Sequence, residues 1–409
     1  MAARQASLVD LLSDEAVNDP TTYFNRVRDE GPVFWNQRWN GWIVTRHSDV
    51  AAGFRNHEQL SSDRFAGPFA EDILESKTKY TQLIEFMSKW MFTSDRPYHT
   101  HLRSLVNVAF TPRSVEVLRP RVRELVHSLA EPLRERDRVN FLAEFAFTLP
   151  VIVIAEYLGV PAEARQQVRE WSEHLGAVVF VAGDNPDRFV TAEKAMNNLV
   201  DLIRPIVRAR AVEPKDDLIS AMVNADVDGD RFTEEEIIAN AVLMVFAGHE
   251  TTMNLLSNAT VLFHRFPDTW HRMSEDPRLA RTAVEEVLRY DGPIKALARW
   301  ATEPFEMGGK RIQRNDRVLL VQHAANHDPA FFENPERFDP ARWPNKHLGF
   351  GQGIHTCLGG PLARLEAQEA LTYLSREFAS IEVLTQELTY NRTLVSRGLR
   401  ELDVRFHQR

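Results

Sequence analysis

Apolar residues recur along most of the chain at helical spacing, with short alternating runs between the helical stretches. The longest periodic segment opens at Thr233 and Glu236, a capping-box pair. It runs through "IIANAVLMVFAGHETTMNLLSNATVLFHRF" to about Phe266. Roughly 30 residues make a helix about 45 Å long at 1.5 Å per residue. It has no heptad pattern, so it is expected to cross the middle of the fold. Gly248, Thr251 and Thr252 sit halfway along it, where weak helix formers and inserted groups bend a helix.

Elsewhere "VFWNQRWNGWIVTR" reads as two strands about an Asn40-Gly41 turn. Ser48 reads as the N-cap of the helix that follows. Residues 100–280 are largely helical in pattern, and "FEMGGKRIQRNDRVLLVQ" returns to strand. "LGGPLARLEAQEALTYLSREF" predicts an amphipathic helix. No repeat, low-complexity tract or Pro/Gly/Ser linker divides the chain. The expectation is one domain over 1–409, mainly α with small β-sheets (α+β).

Composition narrows the classes. At 409 residues the chain is large for one core unless a cofactor fills part of it. The 24 Phe and 8 Trp supply material for an aromatic-lined interior. A net charge of −9, without a Lys/Arg-rich run, argues against nucleic acid as partner. No stretch reaches the roughly 18 apolar residues that span a bilayer. With no signal-like apolar start either, no membrane association and a cytoplasmic location are expected. One cysteine excludes an internal disulfide framework and fits a reducing compartment.

Several short motifs carry more than one reading. His249-Glu250 begins a zinc-protease signature, but the second histidine would be residue 253, which is Met. What remains is either a polar kink or an acid and an alcohol, Glu250 and Thr251, offered to something bound against the helix. "ADVDGDRFTEEE" fails the calcium-loop geometry, because its sixth position is Arg231 instead of glycine. Glu286 and Arg289 are three apart on one helix face, as in many surface ion pairs. Arg337, in the irregular "NPERFDPARW", is placed to reach that pair or to stand in water. His99 and Arg103 share a helix face and suit an anion, or form an ordinary polar face.

The sole cysteine, Cys357, lies in "GFGQGIHTCLGG". Gly349, Gly351 and Gly353 permit close backbone approach. A helix N-terminus follows, and its dipole and free N–H groups stabilise a thiolate. Such a thiolate is a metal ligand or a nucleophile; the bland alternative is a buried inert thiol.

Together these pieces resemble the cytochrome P-450 monooxygenases. F-G-x-G-x-H-x-C-x-G is matched by Phe350, Gly351, Gly353, His355, Cys357 and Gly359. E-x-x-R is matched by Glu286 and Arg289, P-E-R-F supplies Arg337, and A-G-x-E-T-T lies on the long helix. The resemblance implies heme b between the long central helix and the cysteine loop, with Cys357 as the axial ligand to the iron. It implies that His99, Arg103, Arg299 and His355 hold the propionates, and that Phe350 and Gly359 lie beside the sulfur. Ala247 and Gly248 would leave room for dioxygen. Glu250 and Thr251 would deliver protons, and Glu286, Arg289 and Arg337 would form a structural triad.

The same resemblance implies O2 as co-substrate and electrons from NAD(P)H through a ferredoxin and its reductase. Arg113, Arg342 and Lys346 are candidate docking cations. A small hydrophobic substrate is expected, lined by Phe65, Phe69, Met87, Trp90, Met91, Phe180, Val181, Met244, Ile294 and Leu297. Lys295 either pairs a substrate carboxylate or lies on the surface. Hydroxylation and oxidative dealkylation are the expected reactions. The competing readings are a peroxide-driven peroxygenase, a non-catalytic heme sensor or electron carrier, and an inert helical protein.

Overall fold

The computed structural model describes residues 10–72, 79–180 and 186–409. The long helix forms as predicted, over Glu234–Arg265. Its capping box is complete: Glu236 N–H donates to the Thr233 hydroxyl, and Glu236 Oε2 accepts from Thr233 N–H at 2.8 Å. Most of its residues are buried, because other helices pack around it. Helices Thr148–Leu158 and Arg188–Val212 cover it along its length, and Leu279–Tyr290 and Gly360–Glu377 lie against it from another side. This is the central crossing expected of an apolar helix without a heptad.

A five-stranded sheet flanks the helices, in the order β1 (Val33–Asn36), β2 (Gly41–Val44), β8 (Arg317–Leu320), β5 (Leu297–Ala301) and β3 (Leu60–Ser61). β1 and β2 pair antiparallel about a turn in which Asn40 takes a left-handed φ of 54°. β6 (Phe305–Met307) and β7 (Lys310–Ile312) form a separate hairpin. β4 (Val139–Asn140), β10 (Asp403–Gln408) and β9 (Phe378–Val383) make a three-stranded sheet, with β9 against the central helix. One large apolar cluster encloses the central helix, and a smaller one underlies the five-stranded sheet.

Two local expectations change. The helix assigned to a Ser48 cap begins at His47 and has no side-chain cap. Instead Asp328, distant in sequence, accepts from His47 N–H at 2.9 Å. A tertiary carboxylate has replaced the local hydroxyl. Lys295 is neither on the surface nor free: it is buried, and its ammonium donates to Thr393 O at 2.8 Å. The C-terminal segment covers it, with Lys295 N–H donating to Val395 O. Among the described residues, no helix is long and apolar enough to cross a membrane.

Candidate active site

Cys357 stands three residues before the helix Gly360–Glu377. The turn that carries it folds on itself. Cys357 N–H donates to Phe350 O at 2.9 Å, and Gly351 N–H to Leu348 O at 2.9 Å. Gly351 and Gly353 take φ of 65° and 75°, the left-handed region that favours glycine. Gly353 also meets the backbone of a neighbouring helix, where a β-carbon would lie 2.6 Å from Phe54 O. The sulfur is drawn two ways. Burial raises the thiol pKa, while amide N–H groups of Gly359 and Gly360 and the charges of Arg103 and Arg364 pull it down. Phe350 is held beside it by Arg364, whose guanidinium lies 4.3 Å from the ring centre.

A cluster of two guanidinium groups and two imidazoles has formed nearby from three separate parts of the sequence. The rings of His99 and His355 are 4.3 Å apart. Nε2 of each is buried without a partner. Burial, and then Arg299 and His99, push His355 down to about 2. Burial, and then Arg103, lower His99 to about 4. Burial, and then Arg64, bring Arg299 to about 10. Among the described residues the Arg299 side chain donates only to the neighbouring Ala298 O, at 2.8 Å. Arg103 donates to Asn107 Oδ1 at 3.2 Å and feels the Cys357 sulfur. Among the described residues no carboxylate pairs with any of these four. The arrangement suits a group carrying buried carboxylates above a thiolate ligand, and so fits a heme with its two propionates.

On the central helix Ala247 is exposed, although the helix around it is largely buried. Thr251, one turn on, donates its hydroxyl to Ala247 O at 3.1 Å. Gly248 is not open space as expected. A β-carbon there would lie 2.8 Å from Ile154, so this glycine lets helix Thr148–Leu158 pack closely. Glu250 is raised to about 8, first by burial and then by Glu173. It makes no hydrogen bond to Thr251; its carboxyl lies against Gly176 of helix Arg165–Val179.

The triad forms with one member changed. Arg289 and Glu286 are fully buried and joined by two hydrogen bonds of 2.9 and 2.8 Å. Arg289 also donates to Asn326 O and Pro335 O. The second cation on Glu286 is Arg342, at 3.2 Å to both oxygens, with Asn345 at 3.0 Å. Arg337 is exposed and contributes only its carbonyl, which accepts from Arg289 and Arg342. The irregular loop turns its backbone, and not that side chain, toward the pair. Arg342 is thereby removed from the docking candidates, while Arg113 and Lys346 remain exposed.

Sequence reasoning missed Glu285. It binds Arg364 at 2.6 and 2.9 Å and His347 at 3.0 Å, tying helix Leu279–Tyr290 to the cysteine helix. Burial pushes its carboxyl up, but Arg364 and His347 prevail and hold it at about 2. The Glu285-Glu286 doublet was the available signal.

The substrate-lining candidates gather only in part. Trp90, Phe246 and Phe180 form an aromatic group, with ring centres 6.2 and 5.4 Å apart. Met87, Met91 and Met244 share its apolar cluster, and Phe65, Ile294 and Leu297 pack on that cluster's margin. Phe69 does not join them and lies under Arg317, 5.2 Å from its guanidinium. Val181 falls outside the described residues.

A family model, Cytochrome P450, matches residues 65–397. The chain is 35% identical over 396 residues to the polyketide biosynthesis cytochrome P450 PksS of Bacillus subtilis, covering 95% of this chain and 96% of that one. It is 34% identical to the 6-deoxyerythronolide B hydroxylase of Saccharopolyspora erythraea, over 97% and 98% of the two chains. A solved structure of P450BioI in complex with hexadec-9Z-enoic acid ligated acyl carrier protein superposes with a TM-score of 0.89, at 32% identity, over 98% of this chain and 100% of that one. The chain therefore belongs to the cytochrome P450 family, a family of heme monooxygenases that take electrons from redox partners.

Proposed function

We propose that this single-domain monooxygenase inserts one oxygen atom of O2 into a small hydrophobic substrate, and that Cys357 would hold the iron of heme b through its thiolate. The observation that carries the reading is the joint placement of Cys357, its two amide donors, the guanidinium groups of Arg103 and Arg299, and the unpartnered imidazole nitrogens of His99 and His355. Heme, when bound there, supplies dioxygen activation and the oxidation of an unactivated C–H bond. The chain's residues do the rest. Amides of Gly359 and Gly360 donate toward Sγ and moderate its basicity. His99, Arg103, Arg299 and His355 receive the two carboxylates and fix the ring's orientation.

Ala247 keeps the distal helix face small. With a pKa near 8, Glu250 holds a proton at neutral pH inside an apolar setting. Thr251 orders water beside it. The Trp90–Phe246–Phe180 group excludes bulk water from the substrate side. Electrons would come from NAD(P)H through a ferredoxin and its reductase, with Arg113 and Lys346 as exposed cations for an acidic partner. Retention of the acid–alcohol pair Glu250 and Thr251 supports dioxygen over peroxide as oxidant.

The test is the absorption spectrum of the purified protein, reduced under carbon monoxide, alongside Cys357→Ser. A strongly red-shifted Soret band in the parent, lost in the variant while the circular dichroism stays helical, supports the assignment. The same band in both would refute it.

A further inference from the structure

Arg64 is a half-buried cation that the proposed chemistry does not use. Its Nη1 donates to Val179 O at 2.7 Å, and its guanidinium lies 5.0 Å from the centre of the Phe92 ring. No carboxylate pairs with it among the described residues; burial alone lowers its pKa, to about 10. Its position is fixed by the sheet edge. β3 pairs Ser61 with Trp300 of β5, and the Trp300 indole donates to Asp63 O at 2.8 Å. Gly67 closes this segment at a φ of 55°, so near Trp300 that a β-carbon would lie 2.6 Å from the indole. The side chain is thereby delivered to the C-terminal end of helix Arg165–Val179, where helix carbonyls attract a cation.

Its neighbours adjoin the aromatic group. Val179 precedes Phe180, which meets Phe246, and Phe92 follows Trp90 and Met91. Arg64 also weighs on Arg299 electrostatically. The carboxylates of a heme account for Arg299 and its three companions. They leave Arg64 as a surplus, half-buried positive charge beside the Phe92 ring. A single guanidinium with open donors binds a carboxylate by paired, charge-assisted hydrogen bonds, and gains most where water is excluded.

We propose that Arg64 anchors the acid group of a substrate that has an apolar body and a terminal carboxylate. This rests on the monooxygenase reading and narrows its substrate class. Lys295 lies buried beneath residues 393–397, its Nζ donating to Thr393 O, and is set apart from this edge.

The experiment is a spin-state and calorimetric titration of the holoprotein with two matched pairs: dodecanoate against dodecan-1-ol, and 4-phenylbutanoate against 4-phenylbutan-1-ol. The parent should bind at least one acid about tenfold tighter than its alcohol, the scale of one charge-assisted contact. Arg64→Gln should erase that preference and leave alcohol binding within about twofold, while Arg64→Lys keeps part of it. Three results would overturn the proposal. Neither acid exceeds its alcohol in the parent; or Arg64→Gln weakens acid and alcohol equally, as a structural latch would; or heme content falls, as a heme contact would require. The carbon-monoxide spectrum of the same samples reports the monooxygenase reading separately, so the two can fail independently.

Discussion

The carboxyl of Glu250 rests against a glycine: a β-carbon at Gly176 would lie 2.8 Å from Glu250 Oε2. Helix Arg165–Val179 thus makes room for an acid on the central helix, and Glu173 lies close enough on that helix to raise its pKa. Glycine inside a helix costs about 1 kcal/mol relative to alanine, so something must favour it here. Gly176→Ala should leave thermal stability unchanged or raised, because the carboxyl end can swing aside. It should nevertheless lower product formed per NADH consumed, because the acid has moved. Unaltered product yield would separate the position of Glu250 from proton delivery.

The raised pKa of Glu250 has a defined consequence for stability. Unfolded, the carboxyl titrates near its ordinary 4.5; folded, near 8. Between those values the folded protein holds a proton that the unfolded chain has released. Stability therefore falls as pH rises through this window and levels off above about 8. Glu250→Gln should match the parent near pH 4 and melt higher than it at pH 8. Parallel melting curves across that range would place the carboxyl in a wetter setting. Turnover should also decline as pH passes 8, where the acid gives up its proton.

Around Glu286 the contrast lies between two arginines five residues apart. Arg342 binds both carboxylate oxygens, whereas Arg337 offers only a carbonyl that any residue supplies. Arg337→Ala should change stability by no more than about 0.5 kcal/mol, as exposed substitutions do. Arg342→Ala should cost about 1–3 kcal/mol, since a buried acceptor loses a charged donor. Arg289→Ala should cost about 3–5 kcal/mol, because it leaves Glu286 buried without its main partner. Urea unfolding of the three variants, with heme content measured beside it, decides the order.

What was legible in the sequence was what local chemistry dictates. The glycine-spaced turn of Cys357 and the capped central helix depend on residues a few positions apart, so their pattern survives in one dimension. The Arg342 contact depends on how an irregular loop passes over helix Leu279–Tyr290, and no periodicity marks it. Lys295 read as a surface lysine or a partner for a substrate carboxylate, because nothing nearby in sequence reveals that residues 393–397 cover it. Gly248 looked like space for a ligand, and only the crossing of helix Thr148–Leu158 shows that Ile154 fills it. Arg64 gave no signal in sequence; its lack of a partner is a tertiary fact.

Thr251 closes the argument on the central helix. Its hydroxyl donates to Ala247 O, one turn back, in place of any bond to Glu250. Such back-bonding competes with the helix's own hydrogen bond and slightly destabilises it, so structure alone does not explain a threonine here. Thr251→Ala should raise helix stability by about 0.5 kcal/mol through propensity. It should still consume NADH at a comparable rate, yet release hydrogen peroxide at the expense of product. Thr251→Ser, which keeps the hydroxyl, should restore most of the yield. Product, peroxide and NADH measured together distinguish the cases. Full yield in the alanine variant would take Thr251 out of proton delivery and leave Glu250 to act through water alone.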